Sequence, residues 1–265
     1  MADDVLKKIY AIKAQHMEDE MAEESYHVIR ERALASVATR RPFLAALKAH
    51  SGFALVTEIK RASPSAGLIA RDFDPVTTAE MYEDAGSDAI SVLTESDHFL
   101  GDIKFLPAVR KATALPLLRK DFIAHPYQVA QSAAYGADCI LLIVGGLRDE
   151  QIRACLDEAK AYALDVLVEI HDARDLERVV NAGVNFVGVN NRNLRTMKTD
   201  LAVSEHILPK VPPEMFAISE SGMKNLEDIE RLRKAGARGF LIGEALMRSE
   251  NPREMIALFK RVYAH

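Results

Sequence analysis

Phe53-Ala-Leu-Val-Thr-Glu-Ile-Lys-Arg-Ala-Ser-Pro-Ser-Ala-Gly67 begins as an apolar run, turns charged, and ends in a Ser/Pro/Gly loop. Side chains alternate sides along a strand. Ala54, Val56, Glu58 and Lys60 therefore share one face, and Leu55, Thr57 and Ile59 the other. A carboxylate and an ammonium at the C-terminal end of a buried strand are costly to desolvate. For a single Glu-x-Lys, a solvated surface pair is the plainer reading. Repetition of the pattern at later strand ends displaces it.

Outward from this stretch, apolar runs and amphipathic stretches alternate. Strands are expected at 53–60, 89–93, 116–120, 138–144, 166–170, 186–190, 215–219 and 239–243, with helices such as 147–162 and 225–234 between them. Eight β-α units of this length match a (β/α)8 barrel, whose usual size is about 250 residues. Asp84-Ala-Gly86, Ala134-Tyr-Gly136, Ala182-Gly183 and Ala235-Gly236 precede strands once in every two units. Glycine there supplies the left-handed position that ends a helix before the chain turns into the next strand. A doubly wound open sheet is the alternative, but no G-x-G-x-x-G follows the first strand. The expected fold class is α/β: a single (β/α)8 TIM barrel over 51–265, with a helical N-terminal extension, 1–50, packed on it. Within the extension, Val5, Leu6, Ile9 and Ile12 recur at helical spacing, and Pro42 opens a short helix at 43–48.

The 265 residues are 49% hydrophobic and 28% charged, the composition of a soluble globular chain, with a net charge of −5. That balance and the lack of a polybasic cluster argue against a nucleic-acid surface. Cys139 and Cys155 fall in separate elements without metal-ligand spacing and read as reduced, structural thiols, which fits a cytoplasmic protein. No apolar run approaches the roughly 20 residues that span a bilayer. Asp3, Asp4, Glu18, Asp19 and Glu20 make the N-terminus a poor signal peptide.

Barrel active sites are built at the C-terminal strand ends, and here those ends are loaded. Strand 1 offers Glu58 and Lys60, and strand 3 ends Leu117-Leu-Arg-Lys-Asp121. Strand 5 ends Leu167-Val-Glu-Ile-His171, strand 6 reaches Val189-Asn-Asn-Arg192, and strand 7 runs Ala217-Ile-Ser-Glu-Ser-Gly222. All four odd-numbered strands thus end in Glu or Lys; a structural ion-pair network is the alternative to a catalytic centre. Ser221-Gly222 after strand 7 and Gly243-Glu244 after strand 8 fit the common barrel phosphate site, where backbone N–H groups approach an anion and a short helix from Ala245 adds its positive end. The alternative is a pair of ordinary turn glycines. Glu244 would have to point its carboxylate away from such a phosphate. Burial lowers a lysine pKa and flanking carboxylates raise it; lowered values are expected for lysines in a water-poor mouth. The loop 61–74, with Ser63-Pro-Ser65 and Gly67, suits a lid that excludes water; the alternative is a merely long β-α connection. His98, His125 and His171 read as loop or capping groups, since no Ser or Cys stands beside them. Phe99 and Phe122 read as core or pocket wall.

Six of these segments are familiar. Glu58-Ile-Lys-Arg-Ala-Ser-Pro-Ser65, Leu118-Arg-Lys-Asp-Phe122, Leu167-Val-Glu-Ile-His171, Gly188-Val-Asn-Asn-Arg192, Ser219-Glu-Ser-Gly222 and Leu241-Ile-Gly-Glu-Ala-Leu-Met247 closely resemble indole-3-glycerol-phosphate synthases. So do Val92-Leu-Thr-Glu95, Phe99-Leu-Gly101 and the extension's end at Arg41-Pro-Phe43. Asn193, where the family often has Asp, and His125, where it has an acid, depart from the pattern and bear on salt bridges near the loops. The resemblance implies ring closure of 1-(2-carboxyphenylamino)-1-deoxyribulose 5-phosphate to indole-3-glycerol phosphate, carbon dioxide and water, a carboxy-lyase step of tryptophan biosynthesis. By the same resemblance Lys120, with Asp121 beside it, is the general acid, and Glu169 a general base or electrostatic stabiliser. Lys60 orients the substrate carboxylate and is a candidate second acid; the division of steps between the lysines stays open. Glu58, Asn190 and Glu220 match active-site positions, Ser63 and Arg192 substrate-binding ones, and Ser221, Gly222, Gly243 and Glu244 the phosphate loops. The resemblance calls for no cofactor and no metal, because proton transfer alone drives the reaction. Its partner is a small phosphorylated substrate, with no nucleic acid or membrane, and at most a weak association with other tryptophan-pathway enzymes.

Three rivals remain from the residues alone. A Schiff-base aldolase would use Lys120 as nucleophile. A silent barrel serving as a binding subunit need not bury so many charges. A glycoside hydrolase could pair glutamates but usually brings many aromatics, and this chain has no Trp.

Overall fold

The structure, a computed structural model, describes residues 5–49, 52–64, 67–70, 72–194 and 196–261. Asp3, Asp4, Ser65 and part of the 61–74 loop lie outside them. Three helices come first: α1 (Val5–Glu23), α2 (Tyr26–Ala35) and α3 (Phe43–Lys48). Strand β1 (Ala54–Ile59) follows, then α4 (Pro75–Asp84), β2 (Ala89–Leu93), α5 (Phe105–Ala112), β3 (Leu117–Lys120) and α6 (Pro126–Ala134). The second half runs β4 (Cys139–Ile143), α7 (Asp149–Ala161), β5 (Asp165–Ile170), α8 (Ala173–Asn181), β6 (Phe186–Asn190) and α9 (Ala202–Ile207). It ends with β7 (Phe216–Glu220), α10 (Leu226–Lys234), β8 (Gly239–Ile242), α11 (Glu244–Arg248) and α12 (Pro252–Arg261). Each strand lies where its apolar run predicts it. The eight pair in parallel, each with its sequence neighbour, and β8 closes on β1. This is the (β/α)8 barrel.

The alternation read from the first strand sorts the core. Ala54 and Val56 enter the barrel interior with Leu118, Leu141, Leu167, Ile218 and Leu241. Leu55 and Ile59 face the surrounding helices with Ile90, Val168 and Val187. Gly86, Gly136, Gly183 and Gly236 take φ of 98°, 89°, 71° and 112° just after their helices, the left-handed stop that glycine accommodates without a Cβ penalty. Asp74, Asp172 and Asn225 open α4, α8 and α10 by accepting from backbone N–H groups of the first turn. Among the described residues no helix is long and apolar enough to cross a membrane. Cys139 and Cys155 are free and buried.

The N-terminal helices touch the barrel at both ends. In α1, Leu6 and Ile9 join the interior cluster, and the Tyr10 ring lies so close over Gly146, just past β4, that a Cβ there would sit 2.0 Å from a ring carbon. Below, Phe43 of α3 packs on Phe186 with ring centroids 6.2 Å apart. The backbone N–H groups of Arg41 and Leu44 donate to Asp138 and Asp165, at the N-terminal ends of β4 and β5, each at 2.8 Å. The extension thus runs from the barrel mouth to its floor. The loop after β1 carries a small hairpin in which Ala62–Ser63 pairs antiparallel with Gly67–Leu68.

Candidate active site

The C-terminal mouth encloses a cavity of about 690 Å³. Its lining includes every residue singled out from the sequence: Glu58, Lys60, Ser63, Lys120, Glu169, Asn190, Arg192, Glu220, Ser221, Gly222, Gly243 and Glu244. Parallel strands in a barrel send side chains inward from alternate strands in layers. Glu58, Lys120, Glu169 and Glu220, from β1, β3, β5 and β7, therefore meet although far apart in sequence.

Lys120 is the hub. Its Nζ donates to Glu169 Oε2 at 3.3 Å and also to Glu220 Oε2. Lys60 Nζ donates to Glu58 Oε1 at 2.7 Å. Asn190 Nδ2 donates to the other Glu169 oxygen at 2.9 Å, and Asn190 Oδ1 accepts from the Arg192 N–H at 2.9 Å. Asp121, next to Lys120 in sequence, does not join them. Its carboxylate turns to Lys13 of α1 (3.0 Å), Arg119 (3.0 Å) and Thr94 (2.6 Å).

Electrostatics overturn one expectation. Burial alone would depress the Lys120 pKa, but Glu220, Glu169 and Glu58 together outweigh it, and the net shift is upward. Lys120 is thus held as an ammonium. The same crowding acts on Glu220 with opposite result. Burial comes first, Glu169 and Glu58 add to it, Lys120 opposes it, and the Glu220 carboxyl is pushed up to about 7. Glu220 Oε1 is buried with no hydrogen-bond partner. Gly188 makes the room for it: a Cβ at 188 would lie 1.9 Å from that oxygen.

The other end of the cavity is built from turns. Ser221 takes φ +66° and Gly222 φ +90°, two successive left-handed residues at the exit of β7. A Cβ on Gly222 would press on Thr199 at 2.7 Å and Leu201 at 3.1 Å. Gly243 has an ordinary φ of −126°; what its missing Cβ leaves is room for Glu58, whose Oε1 would be 2.5 Å away. The short helix begins at Glu244, one residue earlier than read from the sequence. The awkward Glu244 carboxylate lies on Arg192 at 2.9 Å and on Arg248 at 3.4 Å.

The histidines have the capping and loop roles expected of them. The His125 ring accepts from the Tyr127 N–H at 3.1 Å and caps α6. His171 Nδ1 lies 2.7 Å from the Asn190 carbonyl, and His98 Nδ1 lies 3.1 Å from Glu95. Asn193 Oδ1 accepts from Thr196 N–H within its loop at 3.1 Å. Phe99 and Phe122 both line the cavity with centroids 6.2 Å apart, and Tyr10 meets Phe122 edge-on at 5.7 Å. Sequence reasoning missed Leu194, Met197 and Leu201 on the loop after β6, which add apolar wall. It also missed Lys13 and Asn191. Neither carries a local signal, because each acts through a contact distant in sequence. Among the described residues no group of three or more His, Cys, Asp or Glu is arranged to hold a metal ion.

Fold and site together define the class: a (β/α)8-barrel enzyme whose charged side chains converge at the C-terminal mouth. Within that class the chain belongs to the indole-3-glycerol phosphate synthase family, whose model matches residues 6–259. Indole-3-glycerol phosphate synthase of Koribacter versatilis is 46% identical over 216 residues, 81% of this chain and 83% of that protein. The Polaromonas sp. protein of the same name is 42% identical over 254 residues, 94% of this chain and 95% of its own length. Among solved structures, KGPDC from Streptococcus mutans superposes with a TM-score of 0.61 at 13% identity, covering 80% of this chain and 97% of that one, a likeness of fold alone.

Proposed function

We propose that this barrel performs its family's reaction with Lys120 as the proton donor at the centre. The substrate is 1-(2-carboxyphenylamino)-1-deoxyribulose 5-phosphate. The aromatic carbon that bears the carboxylate attacks the ribulose ketone, and the carbonyl oxygen takes a proton. The carbon–carboxylate bond then breaks, carbon dioxide leaves, and the electron pair restores the aromatic ring. A second proton lets the hydroxyl depart as water while a base removes a proton from the adjacent carbon, which leaves indole-3-glycerol phosphate. Two protons enter and one leaves, so the site must both give and take.

Lys120 gives the first, supported by its ammonium form between Glu169 and Glu220. Glu169, held by Asn190, is the base. Lys60, steadied by Glu58, orients the substrate carboxylate and stands as second acid. Glu220 balances charge on Lys120. Ser63 and Arg192 flank the substrate, and the Ser221-Gly222 turn with Gly243 and Glu244 receives the phosphate. Phe99 and Phe122 offer a wall for the anthranilate ring. The single observation that carries this reading is Lys120 bracketed by two buried carboxylates in the same cavity as the left-handed turn. A Schiff-base role fits less well, because a nucleophilic lysine must be neutral and three carboxylates hold this one charged.

The direct test is to mix purified protein with the substrate and follow indole fluorescence with and without EDTA. Product should appear at the same rate in both; absence of indole, or loss on chelation, would overturn the reading. We place the enzyme in the cytoplasm, in keeping with free Cys139 and Cys155. At most weak association with other enzymes of tryptophan biosynthesis is expected, readable by co-sedimentation.

A further inference from the structure

Asn190 and Asn191 leave the end of β6 in opposite directions. Asn190 faces the cavity, whereas Asn191 is buried behind it, 1% exposed. The Asn191 amide nitrogen Nδ2 lies 2.9 Å from Ser219 Oγ, 3.0 Å from the Glu220 carbonyl and 3.0 Å from the Ser221 carbonyl. The Asn191 backbone N–H also donates to the Glu220 carbonyl at 2.9 Å. Its Oδ1 accepts from the Ser204 N–H at 3.1 Å, which fixes which end of the amide is the donor. Ser204 and Ser219 hydroxyls lie 2.8 Å apart and complete a dry polar cluster.

Two successive carbonyls are therefore gripped from the same side. In a trans peptide the N–H points opposite to the C=O of the same unit. Holding the Ser221 carbonyl from behind therefore turns the Gly222 N–H the other way, toward the cavity that residue lines, while the Ser221 N–H faces β8, where Leu241 is the register partner of Glu220. Among the described residues the Gly222 N–H finds no backbone acceptor. Ser221 is moreover a non-glycine residue at φ +66°, a conformation that costs an L-residue on the order of 1 kcal/mol and needs support from its surroundings.

We propose that Asn191 is a positioning residue that sets the Ser221-Gly222 turn for the substrate's phosphate by gripping its carbonyls from behind. This rests on the reading that this turn receives the phosphate. It divides the work of one strand end: Asn190 orients the base Glu169 for the chemistry, and Asn191 orients a backbone donor for the anion. A backbone dipole fixed in advance need not be ordered when the ligand arrives.

The test compares Asn191→Ala and the isosteric Asn191→Asp, both of which lose the amide donors, with Gly222→Val. For both Asn191 variants, KM for the phosphorylated substrate and the inhibition constant of inorganic phosphate should rise about 10- to 100-fold, the worth of one or two mispositioned hydrogen bonds. kcat should stay within about 3-fold, well inside one decade of rate, and binding of the dephosphorylated product, indole-3-glycerol, should not change. A fall in kcat at unchanged KM, equal losses for both products, or failure of both variants to fold would overturn the assignment. If Gly222→Val also leaves phosphate inhibition untouched, the phosphate reading itself falls. If Gly222→Val weakens phosphate and the Asn191 variants do not, only the role of Asn191 falls.

Discussion

Replacing Lys120 with arginine separates the charge at the hub of the site from the proton it delivers. Lys120 Nζ contacts Glu169 at 3.3 Å and Glu220 as well, and those carboxylates are buried, 4% and 1% exposed. A neutral residue here would leave them uncompensated, which costs about 3–5 kcal/mol for a broken buried pair unless they take up protons. Arginine keeps the cation but is effectively never deprotonated. Lys120→Arg should therefore fold and bind substrate while losing about two to four orders of magnitude in kcat, the usual worth of a positioned acid. Steady-state indole fluorescence gives kcat and KM, and thermal unfolding reports the fold. An arginine variant within about 10-fold of the parent kcat, a loss of under 1.4 kcal/mol in barrier, would refute proton delivery by residue 120. Since an aldolase-type lysine would also fail as arginine, borohydride treatment of the parent enzyme with substrate completes the test. A substrate-sized adduct on Lys120 by mass spectrometry would promote the nucleophile over the acid.

Glu220→Gln reads the buried carboxyl. Its folded pKa is raised to about 7, above its unfolded value near about 4.3. The carboxyl's favourable protonated state is thus fully available below the unfolded pKa and is lost as pH rises through the folded one. Glutamine should then stabilise the protein relative to the parent above pH 7, by up to roughly 4 kcal/mol at about 1.4 kcal/mol per pKa unit, with no such gain below about pH 4. A difference that is flat from pH 4 to 9 in chemical unfolding would contradict the shifted carboxyl. Gly188→Ala puts a methyl 1.9 Å from Glu220 Oε1; the carboxylate must move off Lys120, and kcat should fall at least 10-fold, since even a misplacement of about 1 Å is costly in an active site. Unchanged turnover would mean that Glu220 has slack the packing does not show. Gly222→Val meets both the left-handed φ of +90° and Thr199 at 2.7 Å, and should raise KM for the phosphorylated substrate more than it lowers kcat. Equal affinity in a titration with the phosphorylated product would move the phosphate site elsewhere.

Much of this molecule is local information. Strand positions follow from apolar runs such as 138–144, and the face each residue takes in β1 follows from period-two geometry. Gly86, Gly136, Gly183 and Gly236 mark helix stops because only glycine meets the left-handed position without penalty. Each charged strand end could be read before any contact was known, since topology alone sends C-terminal strand ends to one mouth. The sign of the Lys120 shift could not, because burial and charge oppose each other and their balance depends on three carboxylates from β1, β5 and β7 at angstrom distances. Nor could Asp121 be placed: its neighbour in sequence is Lys120, yet alternation turns it outward to Lys13, more than a hundred residues earlier. Gly243 matches a phosphate-loop position in sequence, and only packing shows that its missing Cβ also leaves room for Glu58. Asn191 sits in the same strand end as Asn190, and one step of the pleat decides that it grips the next strand's turn instead of facing the substrate. Periodicity is written residue by residue, whereas the balance of charges and the reach of an amide depend on distances that only the closed barrel sets.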